Sequence, residues 1–125
     1  MVVDVIQIYL NSIIHMMIYL GVPIWAITPQ TEPEFAAPWE ACAFNQTFER
    51  DFINNFLGPT LAQNHPDLLI LGFDHNKDHL LDWAETVLGG DTGPNGGYVD
   101  GMAFHWYTGA FYSLVYLTFL LSFYL

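Results

Sequence analysis

LLILGFDHNKDHLLDWAETVL, residues 68–88, reads as a strand followed by a helix. Leu68 to Phe73 form a continuous apolar run bounded by turn residues, the pattern of a strand buried on both faces. DHLLDWAETVL, 78–88, then reads as a helix that ends at Gly89-Gly90. Working upstream, PIWAIT (23–28) is a second short buried strand. Between the two strands a helix begins near Thr47 and runs to Gly58-Pro59, with Phe48, Phe52, Ile53 and Phe56 on one face. Residues 1–20 form an apolar helix that Gly21 closes and Pro23 forbids from continuing. Downstream, a glycine-rich connection (89–97) leads to YVDGMAF, 98–104, a third strand. Each strand-to-strand interval is long enough for a crossover helix. The expected fold class is therefore α/β, a parallel sheet with helices outside.

The chain has 125 residues, enough for one domain but well short of a closed (β/α)₈ barrel of about 250. Thirteen acidic residues stand against two basic ones, Arg50 and Lys77, so the chain stays negative even with all five histidines protonated. A nucleic-acid partner is excluded on this charge balance, because phosphate neutralisation needs Lys and Arg. Aromatic residues make up 17% of the chain, which argues against disorder, and a single cysteine, Cys42, rules out a disulfide scaffold. Cys42 has no nucleophile-elbow context and is expected to be a small buried apolar residue.

In parallel sheets of this kind, function gathers at the carboxyl ends of the strands. After the first predicted strand come Thr28, Gln30, Thr31 and Glu32. After the second come Asp74, His75 and Asn76, and after the third His105, Trp106 and Tyr107. Carboxylates beside aromatic rings suit a sugar, whose apolar face packs on rings and whose hydroxyls bond to carboxylates. Each acid taken alone also fits a solvated loop position or a helix cap.

These residues carry a resemblance. WAITPQTEPEFAAPWEAC, FERDFINNFLGPTLA, LLILGFDHNKDHLLDWAETVL and YVDGMAFHWYTG resemble, in order and spacing, the glucosylceramidases of glycoside hydrolase family 30. The resemblance covers about residues 21–109. It implies that residues 1–109 are a fragment of a (β/α)₈ TIM barrel, about three β/α units around its fourth to sixth strands. Residues 110–125 would be an apolar tail outside it. It also implies retaining hydrolysis of a β-glucoside such as glucosylceramide, with no cofactor, at a membrane lipid surface, in a lysosomal or secreted parent enzyme. Retaining chemistry needs two carboxyl groups about 5–5.5 Å apart. By the resemblance Glu32 is the acid/base, and Thr31, Asp74, His105, Trp106 and Tyr107 line the substrate site. The family carries Asn where Thr31 stands, and a hydroxyl cannot copy an amide toward the sugar 2-hydroxyl. The family's nucleophile belongs to the seventh strand, beyond the matched stretch, and residues 110–125 contain no acid. This chain alone is expected to be inactive.

His75 and His79 stand four apart, but no third ligand is evident, and no metal site is assigned. His75 falls in a predicted loop, and Asn76 and Asp78 read as helix-capping or surface residues. Residues 89–97 lack the lysine of a phosphate loop. Asn45-Gln46-Thr47 is a glycosylation sequon, consistent with a secretory-pathway enzyme. The uncharged stretch 109–125 is slightly shorter than the about 20 residues a membrane helix needs. A small membrane-anchored protein, or a sugar-binding protein without hydrolase activity, is the alternative.

Overall fold

The central element is the strand that the 68–88 stretch foretells. In the computed structural model, which describes residues 2–39, 41–89 and 97–107, β2 (Leu69–Asn76) pairs on one side with β1 (Ala26–Ile27) and on the other with β3 (Gly101–His105). Both pairings are parallel, and the sheet is open. Helix α1 (Val2–Tyr19) precedes β1, and Gly21 stops it with φ 69°. Between β1 and β2 lie α2 (Gln46–Phe52), a π-helical turn (Ile53–Leu57) and α3 (Gly58–Asn64). A 3₁₀ turn (Lys77–His79) and α4 (Leu80–Val87) follow β2. The order is the one expected, helix and strand alternating three times. The tail 110–125 and most of the glycine-rich connection lie outside the described residues.

Several boundaries differ from expectation, each for a local reason. The second helix does not end at Gly58-Pro59 but continues to Asn64. Proline inside a regular α-helix loses a hydrogen bond and presses on the carbonyl four residues back. Here the π-turn widens the helix just before it, the Gly58 N–H bonding back five residues to the Ile53 carbonyl. The same turn re-phases the buried face. Ile53, Leu57 and Leu61 are buried, whereas Phe48 is exposed. Phe48 and Phe52 instead pack against Phe44, at ring-centroid distances of 4.7 and 6.0 Å, along the flank. β2 is longer than the apolar run and takes in Asp74, His75 and Asn76, so His75 is a strand residue rather than a loop residue. Asn45 caps α2, its side-chain oxygen accepting the Phe48 N–H at 2.8 Å. Asn76, expected as a cap, makes no capping bond, and its Oδ1 is buried without a hydrogen bond. Cys42, expected in the core, is exposed, because it lies on the loop between β1 and α2.

The core lies between the helices and one face of the sheet. Ile53, Leu57 and Leu61 meet Ile70 and Phe73 of β2 and Leu80, Trp83 and Val87 of α4. The Phe73 ring packs on Trp83 at 5.2 Å between centroids. Fully burying side chains of this size contributes about 1.5–3 kcal/mol each. Asp100 secures the start of β3: its carboxylate accepts the Ile70 N–H at 2.8 Å and its own N–H donates to the Ile70 carbonyl. No described helix is long and apolar enough to cross a membrane.

Candidate active site

Three strands in parallel register bring the predicted site residues to one end of the sheet. A β-bulge in β2 decides how they meet. Phe73 pairs with Ala103 and His75 with Phe104, so Asp74 is the extra residue. Phe73 and Asp74 both take positive φ, 77° and 48°. Glu32, after β1, also has positive φ, 50°. These are the three non-glycine residues with positive φ among the described residues, and such conformations cost on the order of 1–3 kcal/mol each. Their clustering means that the surrounding contacts hold the backbone there.

Those contacts are specific. The Glu32 N–H donates to the Asp74 carbonyl at 3.0 Å, tying the loop after β1 to the bulge. The Phe73 N–H donates to Glu49 Oε1 at 2.8 Å. Glu49 is fully buried beneath the bulge, and its Oε2 has no hydrogen bond. Burial is the largest influence on its carboxyl and pushes the pKa up to about 7, the Asp74 charge adding to it and the Phe73 hydrogen bond opposing it.

Asp74 is the hub of the site. Its Oδ2 accepts hydrogen bonds from the hydroxyls of Thr28 and Thr31, each at 3.0 Å. Its Oδ1 lies 3.2 Å from His105 Nε2. The other ring nitrogen of His105, Nδ1, lies 3.2 Å from Glu32 Oε1. One imidazole therefore stands between two carboxylates. An ionised Asp74 requires the hydrogen on Nε2, which directs Nδ1 toward Glu32. The Thr31 hydroxyl is thus engaged with Asp74. Tyr107 packs edge-on against His105 at 5.3 Å, and Trp106 lies 5.3 Å from Tyr107. Both rings are mostly exposed, Trp106 at 81% and Tyr107 at 61%, so they stand at the mouth of the site.

Sequence reasoning missed two residues here. Glu34 accepts from Trp83 Nε1 at 3.0 Å and meets His79 Nδ1 at 2.8 Å, fastening the loop after β1 to α4. Burial pushes its carboxyl up, but the hydrogen bonds from Trp83 and His79 and the nearby imidazoles outweigh this and leave it lowered. His79 is correspondingly raised by the hydrogen bond and charge of Glu34. Glu49 is the other residue. It sits among the aromatic residues of an amphipathic helix, where an acid reads as solvent-facing, and its neighbours in sequence give no sign of the strand above it.

The family model of the glycosyl hydrolase family 30 TIM-barrel domain matches residues 5–113. The chain belongs to glycosyl hydrolase family 30. Among similar proteins, the lysosomal acid glucosylceramidase of Mus musculus is 36% identical over 91 residues, covering 70% of this chain and 17% of the mouse protein. An endo-1,6-beta-D-glucanase of Aspergillus fumigatus is 35% identical over 89 residues, again 70% of this chain and 17% of the relative. The crystal structure of SrfJ from Salmonella typhimurium superposes on 97% of this chain and 27% of its own with a TM-score of 0.82 at 32% identity. An endo-beta1,6-glucanase structure shares the fold at a TM-score of 0.76, over 89% of this chain and 25% of its own, at 24% identity. The chain thus spans about a sixth of the curated relatives it matches. Its open three-stranded sheet is a section of the family-30 TIM barrel, as the resemblance implied.

Proposed function

We propose that the protein carrying this chain is a retaining β-glycosidase acting on a β-glucoside, with Glu32 as acid/base. The observation that supports this best is the Glu32–His105–Asp74 chain at the carboxyl ends of adjacent barrel strands in a family-30 sequence. In the first step a second carboxylate attacks the anomeric carbon while Glu32 gives its proton to the departing oxygen. In the second step Glu32 takes a proton from water, which displaces the sugar from the enzyme carboxylate. That second carboxylate belongs to a barrel strand outside residues 1–109, so the fragment alone would not turn over. Asp74 holds His105 beside Glu32 and accepts the Glu32 N–H; Thr31 and Asp74 form the floor, and Trp106 and Tyr107 offer flat apolar surface to the sugar or its aglycone.

Glucosylceramide is the first substrate to test, since the mouse relative is a lysosomal glucosylceramidase. A lysosomal or secreted enzyme at a lipid surface, with glycosylation at the exposed Asn45, belongs to the same reading. The fungal relative, an endo-1,6-beta-D-glucanase, favours a β-1,6-glucan as the second. The division into a barrel section, 1–109, and a separate apolar tail, 110–125, is also part of the proposal. The deciding experiment is Glu32→Gln in the full-length protein, assayed on both substrates. Turnover of poor leaving groups should fall by about 10²–10⁴, while activated aryl glucosides suffer less. Near-wild-type turnover on the natural glycoside refutes the assignment of Glu32.

A further inference from the structure

His75 enters none of the chemistry above, yet the bulge delivers it to the same place. One ring nitrogen from His75, one from His105 and a carboxylate oxygen of Glu32 lie within 4.8 Å of one another. The two rings stand edge to face, 6.4 Å apart. Nδ1 of His75 and Nδ1 of His105 are both buried and without a hydrogen bond. The remaining nitrogens face carboxylates: His105 Nε2 lies 3.2 Å from Asp74, and His75 Nε2 lies 4.0 Å from Glu34. The Asp74 carboxylate behind His105 fixes its tautomer and leaves the opposite nitrogen free to bind a metal ion, whereas Glu34 at 4.0 Å makes no hydrogen bond to His75.

The contact between Glu32 Oε1 and His105 Nδ1 points the same way. At 3.2 Å it is short, but the oxygen lies off the direction in which Nδ1 would donate, so no hydrogen bond forms. Two atoms that each sit about 2.0–2.1 Å from one tetrahedral ion are about 3.3 Å apart. The separation suits two ligands of one ion better than a donor and an acceptor. A rotation of His75 that draws its nitrogen inward from the 4.8 Å limit completes a triangular face. We propose that Glu32, His75 and His105 bind a divalent transition-metal ion of the zinc class. Two imidazoles and one carboxylate suit Zn²⁺, Co²⁺ or Cu²⁺, whereas Mg²⁺ and Ca²⁺ prefer all-oxygen sets. The ion occupies the oxygen that would otherwise deliver the proton, so it switches hydrolysis off reversibly. Ion binding stands independently of the glycosidase reading; the inhibition rests on it.

The test is a Co²⁺ titration of the full-length protein, followed by visible absorption. One equivalent should give the strong bands of low-coordinate Co²⁺, and Zn²⁺ should remove them. His75→Gln should weaken binding by at least about tenfold, as loss of a ligand costs no less than loss of its supporting partner. His79→Gln should leave it unchanged. No Co²⁺ bands, or bands abolished by His79→Gln and kept by His75→Gln, overturn the site. A measurement on the unmodified protein guards against misfolded variants: Zn²⁺ should move the ring-nitrogen NMR signals of His75 and His105 and not those of His79. Movement of His79 alone overturns the proposal. Zn²⁺ binding without inhibition overturns the switch and, with it, the role given to Glu32. Absent binding beside an inactive Glu32→Gln variant overturns the metal site and leaves the glycosidase reading standing.

Discussion

Glu49→Gln isolates the energetics of the buried acid under the bulge. Glu49 is enclosed by α4 and β2, its Oε1 holds the Phe73 N–H, and its carboxyl is pushed up from 4.5 to about 7. A carboxyl whose pKa is higher in the folded than in the unfolded protein favours folding when protonated. That contribution is complete below pH 4.5, falls as pH rises, and is gone above about pH 7. A shift from 4.5 to about 7 corresponds to about 3 kcal/mol, most of it lost between pH 5 and pH 8. Glutamine keeps the acceptor for Phe73 and cannot ionise. The expected result is that Glu49→Gln gains on the wild type in stability as pH rises from 5 to 8, by about 2–3 kcal/mol. Urea unfolding of both proteins across this range measures the difference, in which the titrations of groups that do not interact with Glu49 cancel. A difference that stays within about 0.5 kcal/mol at every pH refutes the reasoning, since the carboxyl would then ionise in the folded protein at no cost.

Other outcomes follow from the same contacts. Glu34→Gln removes the charge beside His79, and the His79 pKa, followed by NMR, should drop toward 6.5; an unchanged titration would show that the 2.8 Å contact does not persist in solution. Gly58→Ala raises helix propensity by about 1 kcal/mol, but its new Cβ would lie 2.1 Å from the root of the Tyr98 ring. Net destabilisation of about 1–3 kcal/mol is expected by thermal unfolding, and a more stable variant would contradict the packing. Asp74→Asn tolerates the left-handed backbone but loses the charge behind His105. In the full-length protein it should remain folded by near-UV circular dichroism and, on the proposed glycosidase reading, hydrolyse more slowly than wild type; full activity would remove Asp74 from the site. Cys42 should react at once with a thiol reagent in the native protein, and protection until unfolding would place it in a core after all.

The alternation of strands and helices was legible because each element carries a simple pattern: the unbroken apolar run of Leu68–Phe73, the stop at Gly21, the apolar spacing of α4. Positions at strand ends were legible too, so order alone placed Glu32, Asp74 and His105 among the residues that follow the strands, and the family resemblance singled them out. The bulge was not. Nothing in Gly72-Phe73-Asp74 marks a left-handed pair, since phenylalanine is among the residues least suited to positive φ. The conformation is imposed from outside, by Glu49 on the N–H and Trp83 on the ring, and such tertiary causes leave no local trace. The run through Gly58-Pro59 escaped for a related reason: a proline normally signals an end, and only a widened turn just before it allows continuation.

The extra residue in β2 also sets what kinds of genetic change the protein can absorb. Side chains on a strand alternate sides, so one residue added to a strand exchanges the faces of everything beyond it unless a bulge takes it up, as Asp74 is taken up here. Deleting Asp74 would restore an unbroken ladder against β3 and look, by hydrogen bonding, like a repair. It would leave His75 and Asn76 opposite Phe104 and His105 as they are now, but it would remove the carboxylate that holds Thr28, Thr31 and His105 and the carbonyl that accepts the Glu32 N–H. Loop lengths elsewhere can drift, because loops carry no parity. Between Gly72 and His75 the bulge absorbs one residue, so what is fixed there is the carboxylate and the carbonyl that the extra residue supplies, not the parity of the strand.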